Sequence, residues 1–234
     1  MKNTIINIEI IKKIASALGE LNEKIIFVGG ATISMYVNDP AADDVRPTKD
    51  IDLTVKVATY TELENIRVEL NKKGFKQSSD LDVICRFKYE DILVDVMATE
   101  NIAWAPANRW FNKGFINAQK INIDNVEIKI MPLTFFLASK FTAFEDRGEK
   151  DPRISHDFED ITYILDNRTD WDDILINEND FEVKSYLIEK LLEIKNSSIF
   201  QEAIIGNLYY ETSEERLKLI LNKLDNVSSK FISY

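Results

Sequence analysis

The run Ile25-Ile26-Phe27-Val28, closed by Gly29-Gly30, restricts the fold more than any other stretch of the chain. Four apolar residues ended by a turn signal read as a buried strand. Ala31 to Val37 then reads as one or two turns of helix. A polar loop follows, and Asp50-Ile51-Asp52 opens a second strand, Ile51 to Val57. Side chains alternate along a strand, so Asp50 and Asp52 project to the same side. Two close carboxylates repel and are costly to ionise together unless a cation lies between them. Oxygen ligands on a small turn suit a hard divalent ion such as magnesium, which usually also contacts substrate phosphates. Paired glycines let backbone N–H groups approach an anion where a Cβ would clash. A phosphate site beside a metal site is what phosphoryl or nucleotidyl transfer requires. The plain alternative is an Asx-rich turn entering an ordinary strand.

The remainder of the first half alternates helix and strand. Residues 3–20 place Ile6, Ile10, Ile11, Ile14 and Leu18 at helical spacing, with Gly19 as the stop. Thr59 is the expected N-cap of a helix whose apolar face is Leu63, Ile66 and Leu70, ended by Gly74. Strands are expected over Val83 to Tyr89 and Ile92 to Met97, joined at Glu90-Asp91. Asp95 shares a face with Leu93 and Met97, an expensive place for an unpaired carboxylate. Glu100 to Lys113 is irregular and aromatic, either a loop beside a site or one packed by its own side chains. Phe115 to Ile123 and Val126 to Ile130 read as a hairpin around Asp124-Asn125.

From Pro132 onward the periodicity is helical throughout, with about five helices near 133–147, 155–167, 180–195, 197–208 and 212–225. The acidic piece Asp170 to Asp180 reads as a solvated connector. The expected fold class is α+β, a mixed β-sheet with flanking helices in residues 1–132 followed by an α-helical bundle in 133–234. A net charge of −11 argues against a protein that coats nucleic acid nonspecifically. The single cysteine, Cys85, cannot form an internal disulfide and fits a reducing compartment. With neither a leader-like segment nor a membrane-length apolar run, a soluble cytoplasmic protein is expected.

Gly29-Gly30 followed by Asp50-Ile51-Asp52 resembles the nucleotidyltransferase superfamily, the polymerase beta-like fold. Arg46-Pro47-Thr48-Lys49-Asp50-Ile51-Asp52 resembles in particular the R-x-T-x-D-x-D form of the AbiEii-type nucleotidyl transferase toxins. Ala138 to Arg147, with Asp157 and Asp160 following, is similar to that family's K-h-x-A-h-x-x-R and R-D-h-x-D motifs, although His156 stands where the family often has Arg. The resemblance implies a catalytic and metal-binding set of Asp50, Asp52 and Asp95, in which three carboxylates hold two magnesium ions. It implies nucleotide contacts from Gly29, Gly30, Arg46, Thr48, Lys140 and Asp157, with the helical domain closing over the nucleotide. It also implies transfer of NMP from an NTP to a hydroxyl, on RNA (tRNA in particular), by a toxin with a cognate antitoxin. A small-molecule nucleotidyltransferase of the antibiotic-modifying kind and a non-catalytic nucleotide-binding regulator are the rival expectations. Asp95 has the plain alternative of an edge-strand carboxylate facing water, and Lys140, Arg147, Asp157 and Asp160 that of a salt-bridge set between helices.

Overall fold

The computed structural model describes residues 2–48, 50–78, 85–147 and 151–231. The chain forms two compact units, one of residues 1–35 and 43–132 and the other of 36–42 and 133–234. The fold is α+β.

In the first unit α1 (Asn3–Leu18) buries Ile11, Ile14 and Leu18 and ends at Gly19, whose φ is +54°. Ile6 faces solvent, and Asn7 takes the buried position instead. Asp44 from the polar loop accepts from the Thr4 N–H at 2.9 Å and satisfies the start of this helix. Next come β1 (Ile25–Val28), buried along its whole length, a 3-10 helix over Gly30–Met35 and β2 (Asp50–Val55). Helix α2 (Tyr60–Lys72) is opened by a capping box, in which Thr59 accepts from the Glu62 N–H and the Glu62 carboxylate from the Thr59 N–H. The chain continues through β3 (Lys76–Gln77), β4 (Arg86–Tyr89), β5 (Ile92–Ala98), α3 (Phe111–Ile116), β6 (Gln119–Ile123) and β7 (Val126–Ile130). The expected strand start at Val83 lies outside the described residues.

The seven strands found among the described residues run in the order β3-β4-β5-β2-β1-β7-β6. At the centre β2 and β5 are parallel, with β1 antiparallel on the far side of β2 and β4 antiparallel on the far side of β5. Ile51, Leu53 and Val55 on β2 and Val94, Val96 and Ala98 on β5 are all buried on one face. The other face carries Asp50, Asp52 and Asp95, each partly exposed.

The expected hairpin is present but shorter, because Phe115 and Ile116 belong to α3. Its turn is Asp124-Asn125, with φ of +45° and +71°, the left-handed pair that a two-residue hairpin loop needs. The aromatic segment packs inward: Trp110 is fully buried, and the Trp104 indole N–H donates to Glu64 on α2 at 2.8 Å.

In the second unit α4 (Leu133–Asp146), α5 (His156–Asn167), α6 (Trp171–Ile176), α7 (Phe181–Asn196), α8 (Ser198–Asn207) and α9 (Ser213–Phe231) form the bundle. Phe144, Phe158 and Phe200 gather from α4, α5 and α8, with ring centroids 5.2–6.1 Å apart. Segment 36–42 belongs here because Tyr36 stacks on Phe136 at 4.2 Å and the N–H groups of Asn38 and Asp39 donate to the Asn167 carbonyl.

The acidic piece is not a solvated connector. Six of its residues form α6, which buries Trp171, Asp172 and Leu175. Its charges mask the helix, because Trp171 and Leu175 lie four apart on one helical face and only that face is buried. The Trp171 indole N–H also donates to the Leu165 carbonyl at 2.9 Å. Trp171→Ala is expected to cost about 3–5 kcal/mol in a urea-unfolding measurement, where a solvated connector would register within about 0.5 kcal/mol.

Candidate functional site

The site is built on the polar face of the central strands. Asp52 pairs in register with Asp95 across the β2–β5 ladder and with Val28 across the β1–β2 ladder. The residue after Val28 is Gly29, which turns over Asp52 with φ of +73°. A Cβ there would fall 1.8 Å from Asp52 Oδ2. Glycine is therefore demanded twice, by the backbone conformation and by the carboxylate beneath it. The Thr32 hydroxyl donates to the Gly29 carbonyl at 2.9 Å and ties the turn to the 3-10 helix that Gly30 opens. Arg46 is half-buried in the loop before β2. Thr48 lies next to the pair and donates its hydroxyl to the Asp50 carbonyl at 3.1 Å. Lys49, the remaining motif residue between them, lies outside the described residues.

Arg86 was missed in the sequence. It lies on β4 directly opposite Asp95. Its Nε and one terminal nitrogen each donate to a different Asp95 oxygen at 2.7 Å, and the same terminal nitrogen reaches Asp50 Oδ2 at 3.1 Å. A bidentate fork of this kind is short, planar and strong. Hydrogen bonding to Asp95, with the added charge of Asp50, raises the Arg86 pKa further and keeps the guanidinium charged. The signal was available: a two-residue turn at Glu90-Asp91 pairs 89 with 92 and so, counting back, 86 with 95.

A hard ion fits the donor chemistry here only in part. Asp50 and Asp52 place carboxylates on one face, Asp50 accepting from the Thr48 hydroxyl at 3.3 Å on one oxygen and from Arg86 at 3.1 Å on the other. Magnesium completed by phosphate and water commonly uses one or two such carboxylates. Both Asp95 oxygens are already engaged by the fork. Among the described residues no three His, Cys, Asp or Glu side chains are grouped as a metal shell. Cys85 adds no reactivity: burial, with the charge of Asp95 beside it, pushes its thiol up to about 11, leaving it protonated and inert at neutral pH.

Lys140 and Asp157 lie in the helical unit, where they meet each other. The Lys140 ammonium, buried on α4 among Phe136, Leu137 and Phe141, contacts Asp157 at 3.1 Å and Asp160 at 2.6 Å. Arg147 closes on the other Asp157 oxygen at 3.2 Å from an exposed position. A lysine in an apolar stretch must reach water or an anion, and here the anions belong to the protein. His156, the residue out of register with the family motif, is exposed and pairs with Glu159.

Removing the charge while keeping the stem, Lys140→Met, takes the ammonium from buried Asp160 and leaves buried Asp157 with only the exposed Arg147. The expected cost is about 3–5 kcal/mol, read as a lower urea midpoint with an unchanged slope. An unchanged midpoint would remove the structural role, and weakened NTP binding, with or without a lower midpoint, would make Lys140 a ligand contact.

No curated protein matches the sequence. Among solved structures, an antigenic nucleotidyltransferase-like protein from Paracoccidioides brasiliensis shares 16% identity, with 86% of this chain and 92% of that chain covered and a TM-score of 0.51. At this identity the likeness concerns the fold. ANT(2″)-Ia in complex with adenylyl-2″-tobramycin shares 14% identity over 92% of this chain and 97% of that chain, with a TM-score of 0.39, too low to bear on the fold. Residues 14–204, well over half of the chain, match the family described as nucleotidyl transferase AbiEii toxin, type IV TA system, and the protein belongs to that family.

Proposed function

We propose that this nucleotidyltransferase moves NMP from an NTP to a hydroxyl of an RNA acceptor, with a divalent ion held at Asp50 and Asp52, as the toxin of a toxin–antitoxin pair. The observation that carries the reading is the in-register pair Asp52–Asp95 with Gly29 folded over Asp52. In the reaction the acceptor oxygen bonds to the α-phosphorus, the bond to the bridging α–β oxygen breaks, and pyrophosphate leaves. When bound, the ion would polarise the phosphate it contacts and offset the charge developing there. The protein's own part is to hold two carboxylates on one rigid face, fixed by strand register and not by loops, while Gly29 and Gly30 enter as phosphate contacts on the strength of the motif. Arg46, Thr48, Lys140 and Asp157 enter this reading as nucleotide contacts on the strength of the motifs alone. Among the described residues no helix is long and apolar enough to cross a membrane.

The test is transfer of label from each of the four NTPs, with magnesium, to total RNA and in parallel to a panel of aminoglycosides. Label on RNA is expected. Label confined to an aminoglycoside would identify a small-molecule enzyme, and label on neither would overturn the reading. Asp52→Asn is expected to lower transfer by about three orders of magnitude, a loss of several kcal/mol of charge stabilisation. Magnesium with the preferred NTP at 100 times its dissociation constant should add about 2.7 kcal/mol. For a chain of this size that raises the melting temperature by about 5–10 °C.

A further inference from the structure

We propose that Arg86 is a built-in cation that takes the place of one of two divalent ions, so that the site holds a single ion at Asp50 and Asp52 while Asp95 serves as the partner of Arg86. The inference rests on the nucleotidyl-transfer reading and deepens it.

Three observations converge on Arg86. The first is its geometry. Both Asp95 oxygens accept from the guanidinium at 2.7 Å, whereas Asp50 lends it one oxygen, at 3.1 Å. A divalent ion ligated by Asp95 would lie against that guanidinium, and two cations sharing one carboxylate repel each other. The second is that Arg86 cannot readily leave. Its neighbour Phe87, on the opposite face of β4, is fully buried and packs edge-on to Trp104 with centroids 5.8 Å apart. A one-residue slip of β4 would expose that ring and move Arg86 off the site. The guanidinium is itself largely shielded, its side chain 18% exposed. The third is charge. Three carboxylates against one guanidinium leave a formal charge matched by one divalent ion. Magnesium commonly uses one or two carboxylates and completes its shell from water and substrate phosphate, and Asp50 and Asp52 supply that number. Arg86 is thus a positioning residue: it holds Asp95 and contributes a fixed positive charge to the site.

The experiment counts bound Mn²⁺ by electron paramagnetic resonance, in the full-length protein, with and without the α,β-methylene analogue of each NTP. One Mn²⁺ per protein is expected in the presence of the analogue. Asp52→Asn should weaken Mn²⁺ binding at least tenfold, and Asp95→Asn should leave it within about twofold of the parent. In Arg86→Gln, with folding checked by circular dichroism, a second Mn²⁺ should bind. If Arg86→Gln does not fold, the stoichiometry of the parent and the Asp95→Asn affinity decide. Two Mn²⁺ on the parent, or a loss in Asp95→Asn equal to that in Asp52→Asn, would overturn the role given to Arg86 and leave the transfer reading standing. No bound Mn²⁺ on the parent would overturn the metal site and this inference together.

Discussion

The parallel pairing of β2 with β5 is the constraint on which the first unit depends. It places Ile51, Leu53, Val55, Val94, Val96 and Ala98 in the core, and through the same alternation it turns Asp50, Asp52 and Asp95 to the other face. Shifting either strand by one residue would bury carboxylates and expose isoleucine, leucine and valine. Fold stability and site geometry are therefore a single requirement here. The strands on either flank complete the site by the same logic: β1 delivers Gly29 over Asp52, and β4 delivers Arg86 to Asp95.

The helical unit shows a different economy. Lys140, Asp157 and Asp160 are almost wholly buried and satisfied by one another, with Arg147 at the rim. Such a set adds little net stability compared with an apolar replacement, but losing one member is severe. Asp157 also lies in the first turn of α5, where the helix dipole favours a negative charge. Residues that the family motif marks for ligand chemistry therefore also tie α4 to α5.

Much of this was legible in the sequence because the relevant signals are local. The Thr59–Glu62 cap, the Asp124-Asn125 turn and the strands bearing Asp50, Asp52 and Asp95 follow from short-range pattern. The misreadings arose where pattern is ambiguous or partners are distant. Helix α6 was hidden by its acidic residues, because only Trp171 and Leu175 of its apolar stripe stand out. Phe115 and Ile116 suit a strand by propensity, yet they finish a one-turn-and-a-half helix whose first residue, Phe111, is buried. Arg86 called for hairpin arithmetic across a turn, and the engagement of Lys140 by two aspartates seventeen and twenty residues away could not be told from a ligand contact by spacing alone.

The second unit is not contiguous in the chain. Residues 36–42 are made early, yet they find their partners, Phe136 and Asn167, only after roughly a hundred further residues have been synthesised. Severing the chain after Pro132 would not separate two self-sufficient pieces, since the helical fragment would lack Tyr36 against Phe136 and the other would carry an orphaned loop. During synthesis residues 36–42 therefore emerge well before either partner that fixes them in the helical unit.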